Sequence, residues 1–457
     1  MDSPVEERTV KRILLVAPPF YRLMGSHFNG LHLGIAYIAS VLKEHGHCVR
    51  IYNADYQDSS SYADQRQLLD SFPTYKAILD DVSHPIWSEV VDRIANFAPD
   101  ILGITMLTPN YKAAQNIAEL SKSRDANLKV VVGGVHPSLD PEGTLAQDCF
   151  DYVIRGEGEF SLLELVEGHD EKDIPGLSYK KGGRSIHNQA RPLIDDLDIL
   201  PFPCRDRGSF IGGTGYLETG YIMTGRGCPF SCSYCASPLL WGRVVRYRSV
   251  SNVISELEWL AGNSDSMVRF VDDAFNLNKQ RTKEICRQIF SRGLKHEWVC
   301  DARVDLLDEE LVSLMVQAGC VRIKLGVESG SNRILEKVGK GFTTETVRQQ
   351  VVMVKKYKLP LTVYLMAGFP GETTEDLRQT IELAKELDAD YYSLSIFTPY
   401  YGTQIWNEMY QSGQKMDKEH WEYFYHQSQE MVVNDNLDPK IVSEFLDLNE
   451  REGKARI

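Results

Sequence analysis

The feature that most constrains the fold is an alternation of short apolar runs with helical patterns, which occurs in two series along the 457 residues. Apolar runs of about four to eight residues, separated by helices, are typical of strands in a parallel sheet that is covered on both faces. The first series predicts about five strands, at residues 12–18, 48–55, 101–108, 128–134 and 151–159. We therefore predict an α/β protein that begins with a doubly wound, Rossmann-like domain.

The second series predicts six strands, each followed by a helical pattern. They lie at residues 221–224, 268–271, 298–301, 322–327, 361–366 and 392–397. Consecutive βα units of this kind fit a complete or partial parallel barrel, whose active site lies at the C-terminal ends of the strands. The predicted organisation is an N-terminal domain (1–167), a linker rich in Gly, Pro and charge with a small hairpin (168–215), a barrel (216–405) and a C-terminal helical extension (406–457).

Composition argues against several classes of protein. The formal net charge is -14 and the sequence has no long basic run, so binding to nucleic acid is not expected. No apolar run reaches the roughly 18 residues of a membrane span, and the N-terminus lacks the apolar core of a secretory signal. Nine cysteines without an export signal indicate reduced thiols and a cytoplasmic location.

Three of the cysteines are clustered directly after a predicted strand. Cys228, Cys232 and Cys235 form a C-x3-C-x2-C spacing. Thiolates suit iron–sulfur clusters or zinc, but a structural zinc site needs four ligands, no second pair follows, and the next histidine is His296. Three thiolates would leave one iron of a four-iron cubane open to a cofactor. A zinc site completed by a distant residue, or a chance grouping, is the alternative.

The pattern C-x3-C-x-aromatic-C, with Tyr234 before the last cysteine, resembles the signature of the radical S-adenosylmethionine (SAM) superfamily. The resemblance implies that the three cysteines hold a [4Fe-4S] cluster and that SAM binds the open iron. It also implies that one electron, from an external donor such as flavodoxin or ferredoxin, releases a 5′-deoxyadenosyl radical. In such an enzyme the cofactors carry the difficult chemistry, and the barrel positions them.

Further residues at predicted strand ends match positions that bind the cofactor in this superfamily. By resemblance, the candidates for SAM binding are Tyr234, Asp272, Asp273, Arg303, Glu328, Gly368 and Gly371. Each has a simpler interpretation, since Asp favours helix N-caps, Glu pairs at surfaces and Gly makes turns. Their common position at strand C-termini favours the functional interpretation. The TPYYGT motif near residue 400 resembles the closing motif of the superfamily.

The N-terminal domain resembles the cobalamin-binding domain that precedes the barrel in one large subfamily. The implied architecture is a doubly wound domain of the cobalamin-binding type followed by a partial (β/α)6 radical SAM barrel. Loops at strand C-termini supply the candidate cobalamin contacts, which are Gly133, Gly134, His136, Gly156 and Glu157. The alternative is a bare scaffold whose glycines only make turns.

This domain departs from one known pattern. Domains that bind cobalt through histidine carry D-x-H-x-x-G after the first strand, and here the aspartate position is Gly25, before His27 and Gly30. Because a metal-bound histidine usually depends on such a hydrogen-bond partner, we predict that His27 is not a tight ligand of cobalt.

The resemblance implies a cobalamin-dependent methyltransferase that acts on an unactivated carbon or a phosphorus of a small metabolite. The alternative within the superfamily is a radical enzyme without methyl transfer, such as a dehydratase, epimerase, dehydrogenase or cyclase. A non-catalytic corrinoid- or metal-binding module is a further possibility, and tRNA modification is disfavoured by the acidic charge. The sequence names no catalytic acid or base.

Overall fold

A computed structural model describes residues 10–264, 266–414, 420–426, 434 and 436–451 of the chain. These divide into two compact units. The first comprises residues up to 62, 71–195 and 199–217, and the second comprises 63–70, 196–198 and the chain from 218. Part of the predicted C-terminal extension lies outside the described residues.

The first unit is built on a mostly parallel sheet. Its strands are β1 (Arg12–Ala17), β2 (Cys48–Asn53), β3 (Ile101–Thr105), β4 (Lys129–Gly133), β5 (Tyr152–Ile154), β6 (Leu177–Lys181), β7 (Arg184–His187) and β8 (Phe210–Ile211). The parallel part has the order β2-β1-β3-β4-β5. This is the flavodoxin-like doubly wound order, so the predicted fold class is confirmed.

Helices connect these strands. Those up to residue 166 are α1 (Leu33–Glu44), α2 (Gln65–Asp70, within the second unit), α3 (Phe72–Asp80), α4 (Pro85–Phe97), α5 (Tyr111–Arg124), α6 (Val135–Leu139), α7 (Pro141–Leu145) and α8 (Glu159–Val166). Strand β1 is buried at every position after Arg12, as expected for a strand between two helical layers. The order reverses between β1 and β3, so the ligand crevice of such a sheet lies beyond these two strand ends.

The segment 168–215 differs from the linker that the sequence predicts. Its hairpin, β6–β7, pairs antiparallel with β5, and β8 pairs with β2 at the other edge of the sheet. The physical reason is that both edges of a five-stranded sheet offer unpaired backbone groups, and these strands satisfy them.

The second unit contains a six-stranded parallel sheet and a two-stranded ribbon. Its strands are β9 (Tyr221–Ile222), β10 (Gly225–Arg226), β11 (Arg246–Tyr247), β12 (Val268–Phe270), β13 (Trp298–Ala302), β14 (Cys320–Glu328), β15 (Leu361–Ala367) and β16 (Tyr391–Ile396). The parallel strands follow one another in chain order, β9-β12-β13-β14-β15-β16, as in a partial (β/α)6 barrel.

The helices of this unit follow the strands. They are α9 (Ser237–Trp241), α10 (Val250–Asn263), α11 (Lys279–Ser291), α12 (Glu309–Gln317), α13 (Asn332–Lys337), α14 (Thr344–Lys356), α15 (Thr374–Leu387), α16 (Gln404–Gln411), α17 (Pro439–Leu446) and α18 (Leu448–Arg451). Alternate strand residues such as Ile323, Leu325 and Val327 pack with the buried faces of the helices in one core. Burial of these apolar side chains against the helices is favourable, so it determines which of the other strand residues face the interior of the barrel.

The described part of the C-terminal extension covers the edge of β16. The Asn449 amide accepts a hydrogen bond from the Tyr392 N–H (2.9 Å) and donates one to the Tyr392 carbonyl (2.7 Å). The Ile396 N–H donates to the His426 carbonyl at 2.7 Å. The extension therefore satisfies backbone groups of an edge strand that would otherwise be open to pairing. In the described part of the chain, no helix is both long and apolar enough to cross a bilayer.

Candidate functional site

The three clustered cysteines lie on a loop after β9, at the C-terminal end of the parallel strands. Gly227, directly before Cys228, has φ +104°, and a Cβ there would lie 2.2 Å from the Val244 carbonyl oxygen. Only glycine allows the chain to enter the loop at this angle. All three thiols are partly exposed, whereas five of the other six cysteines are buried.

The thiols have the chemistry that a cluster requires. Burial raises the pKa of Cys228, and it raises the pKa of Cys235 to about 11. Cys228 and Cys235 are therefore protonated in the metal-free chain at neutral pH, and iron must displace these protons to bind thiolates. Among the described residues, no three His, Cys, Asp or Glu side chains converge as ligands of a single ion. A cubane does not require such convergence, because each cysteine binds a different iron.

The two aspartates after β12 both support the site, in different ways. Asp272 is buried and accepts hydrogen bonds from the Thr224 N–H (3.1 Å) and hydroxyl (2.8 Å), so it holds the chain just after β9. Burial raises the pKa of Asp272 to about 6. Asp273 accepts from the Gly227 N–H at 3.2 Å and so contacts the first turn of the cysteine loop.

Glu328 lies at the end of β14 in an unusual backbone conformation. Its φ is +72°, and the register with β15 shifts at this point. A non-glycine residue with positive φ costs free energy, and such residues cluster at functional sites. The Glu328 side chain is buried and accepts a hydrogen bond from Lys340 Nζ at 3.0 Å.

Lys340 is a site residue that sequence analysis missed. It is buried, and besides Glu328 it contacts the Tyr234 hydroxyl at 3.4 Å, within the cysteine loop. Burial raises the pKa of Tyr234, so this hydroxyl stays protonated. A Cβ on Gly326 would lie 2.9 Å from the Glu328 carboxylate, so glycine there leaves room for the ion pair. The isolated motif GKG at residues 339–341 is the only sequence signal that could have found Lys340.

We expect Lys340→Met to destabilise the second unit by about 3–5 kcal/mol, because it leaves the Glu328 carboxylate buried without its cation. Urea unfolding of the metal-free chain, followed by intrinsic tryptophan fluorescence, to which buried Trp298 contributes, measures this change. The double variant Glu328→Gln/Lys340→Met removes the uncompensated charge and should recover most of the loss. Wild-type stability of the single variant would contradict the prediction.

Arg303 lies directly after β13, and its side chain is engaged by neighbouring residues. Its guanidinium forms a two-point ion pair with Asp305, with both distances at 3.0 Å, and stacks 3.4 Å above the Phe230 ring. The structure therefore places Arg303 against the cysteine loop.

The loop after β15 contains Gly368 and Gly371, with φ values of +93° and +71°. The Glu372 carboxylate accepts from the Gly368 N–H at 2.6 Å and the Phe369 N–H at 3.2 Å. Burial raises the pKa of Glu372 to about 7. Asn434 donates to the Phe369 and Glu372 carbonyls at 3.0 and 2.7 Å, so this loop is held on both sides.

In the first unit, the loops after β4 and β5 are joined. Gly134 has φ +108°, and a Cβ there would lie 2.7 Å from the Met106 carbonyl oxygen. The Ser138 hydroxyl donates to the Gly134 carbonyl (2.7 Å) and accepts from the Gly156 N–H (2.9 Å). A Cβ on Gly156 would meet no atom within 4 Å, so backbone is open to a ligand there. Gly133 ends β4 beside these residues.

Two other candidates in this unit have interior positions. His136 has no exposed area, packs 5.0 Å from the Tyr111 ring, and lies 3.2 Å from the Thr108 hydroxyl. Burial lowers the pKa of His136 to about 3, so it stays neutral. The Glu157 carboxylate accepts from the Ile194 N–H at 2.7 Å. Both side chains therefore support the loops from within the unit.

The altered histidine motif begins at Gly25, which ends a short 3-10 helix with φ +73°, a left-handed conformation that glycine adopts without strain. His27 is only 3% exposed, and its ring lies 4.3 Å from that of Tyr62. His27 is therefore packed against Tyr62 inside the first unit.

Comparison with known proteins matches both units. Residues 26–166 match the family model of the B12 binding domain, and residues 222–384 match that of the Radical SAM superfamily. The chain is 36% identical over 411 residues to "Uncharacterized methyltransferase PH0819" of Pyrococcus horikoshii. This alignment covers 87% of this chain and 83% of that protein. It is 27% identical to the anaerobic magnesium-protoporphyrin IX monomethyl ester cyclase of Rubrivivax gelatinosus, over 73% of this chain and 62% of that protein.

Solved structures share the fold. The radical SAM methyltransferase TsrM from Kitasatospora setae superposes with a TM-score of 0.70 at 21% identity, over 88% of this chain and 76% of that chain. Fold and cysteine loop together define an α/β iron–sulfur enzyme. The chain belongs to the radical SAM superfamily, in the subfamily whose barrel follows a B12-binding domain.

Proposed function

We propose that this protein is a cobalamin-dependent radical SAM methyltransferase that acts on an unactivated carbon, or a phosphorus, of a small molecule. The observation that carries the proposal is the presence, in one chain, of a three-thiol loop at barrel strand ends and a B12-binding domain. The relatives support this function. Besides the P. horikoshii protein, they include the cytidylyl-2-hydroxyethylphosphonate methyltransferase of Streptomyces wedmorensis, at 25% identity.

The residues at the two candidate sites fit the cofactors that the family uses, which are a [4Fe-4S] cluster, SAM and cobalamin. Cys228, Cys232 and Cys235 would hold three irons of a [4Fe-4S] cluster and leave the fourth to SAM. When bound, these groups and cobalamin supply one-electron cleavage of a sulfonium and a transferable methyl group. Glu328, paired with Lys340, would orient the polar end of SAM, and the glycine loops at 133–134 and 156 would admit the corrin face.

The chain's own residues arrange the site but supply no assigned acid or base. The raised pKa of Tyr234 keeps a neutral hydroxyl inside the cysteine loop, where it can donate a hydrogen bond without adding negative charge. We further propose that the electron comes from an external flavodoxin- or ferredoxin-type donor in the cytoplasm. The candidate SAM contacts Tyr234, Asp272, Asp273, Gly368 and Gly371 are part of this proposal.

The cyclase relative favours one alternative, a radical SAM enzyme that does not transfer methyl. Both functions predict reductive cleavage of SAM, and only one predicts methylation. The test is anaerobic reconstitution with iron, sulfide and hydroxocobalamin, followed by incubation of the full chain with methyl-labelled SAM, a reductant and a panel of candidate substrates. Label in the product supports the proposal, whereas a chemically altered product that carries no label supports the alternative.

A further inference from the structure

The middle of the cysteine loop packs against a short segment, residues 338–342, which follows α13. The Ser233 N–H donates to the Val338 carbonyl at 3.0 Å, and the Cys232 thiol lies 4.0 Å from the Gly339 carbonyl oxygen. A Cβ on Gly339 would approach the Ser231 carbonyl oxygen to 3.2 Å, so glycine permits this close contact. These contacts join parts of the chain that are about a hundred residues apart.

Arg303 connects this segment to the cysteine loop. Its Nη2 donates to the Lys340 carbonyl at 2.7 Å, while its guanidinium plane covers the Phe230 ring at 3.4 Å. Phe230 lies between Cys228 and Cys232 in the sequence. A cation within about 6 Å of a ring centroid is attracted to it, and the attraction strengthens when the cation is removed from water, as buried Arg303 is here.

The position of Arg303 is itself fixed from two sides. Asp305 holds the guanidinium through two hydrogen bonds of 3.0 Å, which set the orientation of its plane. The buried Asn276 amide accepts from the Arg303 N–H at 2.9 Å and donates to the Arg303 carbonyl at 2.8 Å. The arginine is therefore preorganised before any cofactor binds.

We propose that Arg303, oriented by Asp305, is a positioning residue that clamps the cysteine loop through Phe230 onto residues 338–342 and places a positive charge beside this loop. The clamp rests on the proposed cluster site, but it assigns Arg303 to the protein scaffold of the cluster instead of to SAM. Arg303 thus acts on the cluster through geometry and through charge.

The geometric part is tested by the rate at which a chelator removes iron from the reconstituted full chain. We expect loss to be about five-fold faster in Arg303→Gln, in Asp305→Asn and in Phe230→Leu, and the Arg303→Gln/Phe230→Leu double variant to be no faster than its faster parent. Equal rates of iron loss in the wild type and the variants would overturn the clamp. A double variant whose increase in rate is the product of the two single increases would also overturn it.

The charge part is tested by the ratio of reduced to oxidised cluster at one fixed potential. This ratio should fall about three-fold in Arg303→Gln, which removes a positive charge, and rise about three-fold in Asp305→Asn, which removes a negative one. A general structural role would shift both variants in the same direction, and that result would overturn the proposal. If Arg303→Gln holds no iron, the rate of iron loss and the ratio of reduced to oxidised cluster can both still be measured on Asp305→Asn.

The matched control is an exposed arginine–carboxylate pair, Arg292 and Glu258, which lie 2.6 Å apart beside helices α11 and α10. Arg292→Gln and Glu258→Gln should leave both the rate and the ratio at wild-type values. If the wild type itself binds no cluster, the proposed function fails. If it binds one and the Arg303 and Asp305 variants behave like the controls, the clamp alone fails.

Discussion

Replacing Cys228, Cys232 and Cys235 together by alanine abolishes iron binding and reductive cleavage of SAM. The expected iron content falls from about four atoms per chain to background, because no thiolate remains in the loop to hold the cubane. Formation of 5′-deoxyadenosine falls with it, since the open iron is where SAM is reduced. Iron and sulfide analysis and chromatography of the nucleoside products measure both effects.

The control for this variant removes the same number of thiols elsewhere. Cys48, Cys149 and Cys204 belong to the first unit and not to the unit that carries the cysteine loop, and their triple alanine variant should keep full iron content. Binding of cobalamin should survive in both triple variants, because the glycine loops are untouched. Retained iron in the loop variant, or zinc in place of iron in the wild type, would contradict the assignment of the cluster.

Protein prepared without cobalamin is expected to lose methyl transfer completely while it continues to cleave SAM. The reason is that the cysteine loop and the glycine loops belong to different units of the chain, so each function has its own binding residues. Adding hydroxocobalamin back should restore the label in the product. Product analysis with methyl-labelled SAM, together with cobalt content, measures both halves of the prediction.

A matched pair of glycine variants tests whether the first unit binds cobalamin through the loop after β4. Gly134→Ala introduces a Cβ 2.7 Å from the Met106 carbonyl oxygen, whereas Gly168→Ala, also at positive φ, introduces one into open space. Both suffer backbone strain of about 1–2 kcal/mol, but only Gly134→Ala distorts the loop after β4 and should lose cobalt. Methyl transfer by a cobalamin-free preparation would refute the role given to the first unit.

Short-range patterns determine much of what the sequence predicts correctly. The alternation of apolar runs and helices predicts both parallel sheets, because strand and helix periodicity is a local property of the chain. The spacing of the three cysteines is equally local, since one loop carries all of them. The Gly and Pro clusters of residues 168–215 predict a small hairpin, but they do not predict its pairing with β5, because any exposed strand edge could receive it.

The sequence by itself therefore determined the two α/β units, the family and the cysteine loop. Only the tertiary structure decided the partners of the other polar residues. It pairs Glu328 with Lys340, stacks Arg303 on Phe230 and buries His136 against Tyr111. The physical reason is that a buried charge or ring takes its partner from whatever strand or loop the fold brings near, and sequence spacing carries no record of that proximity.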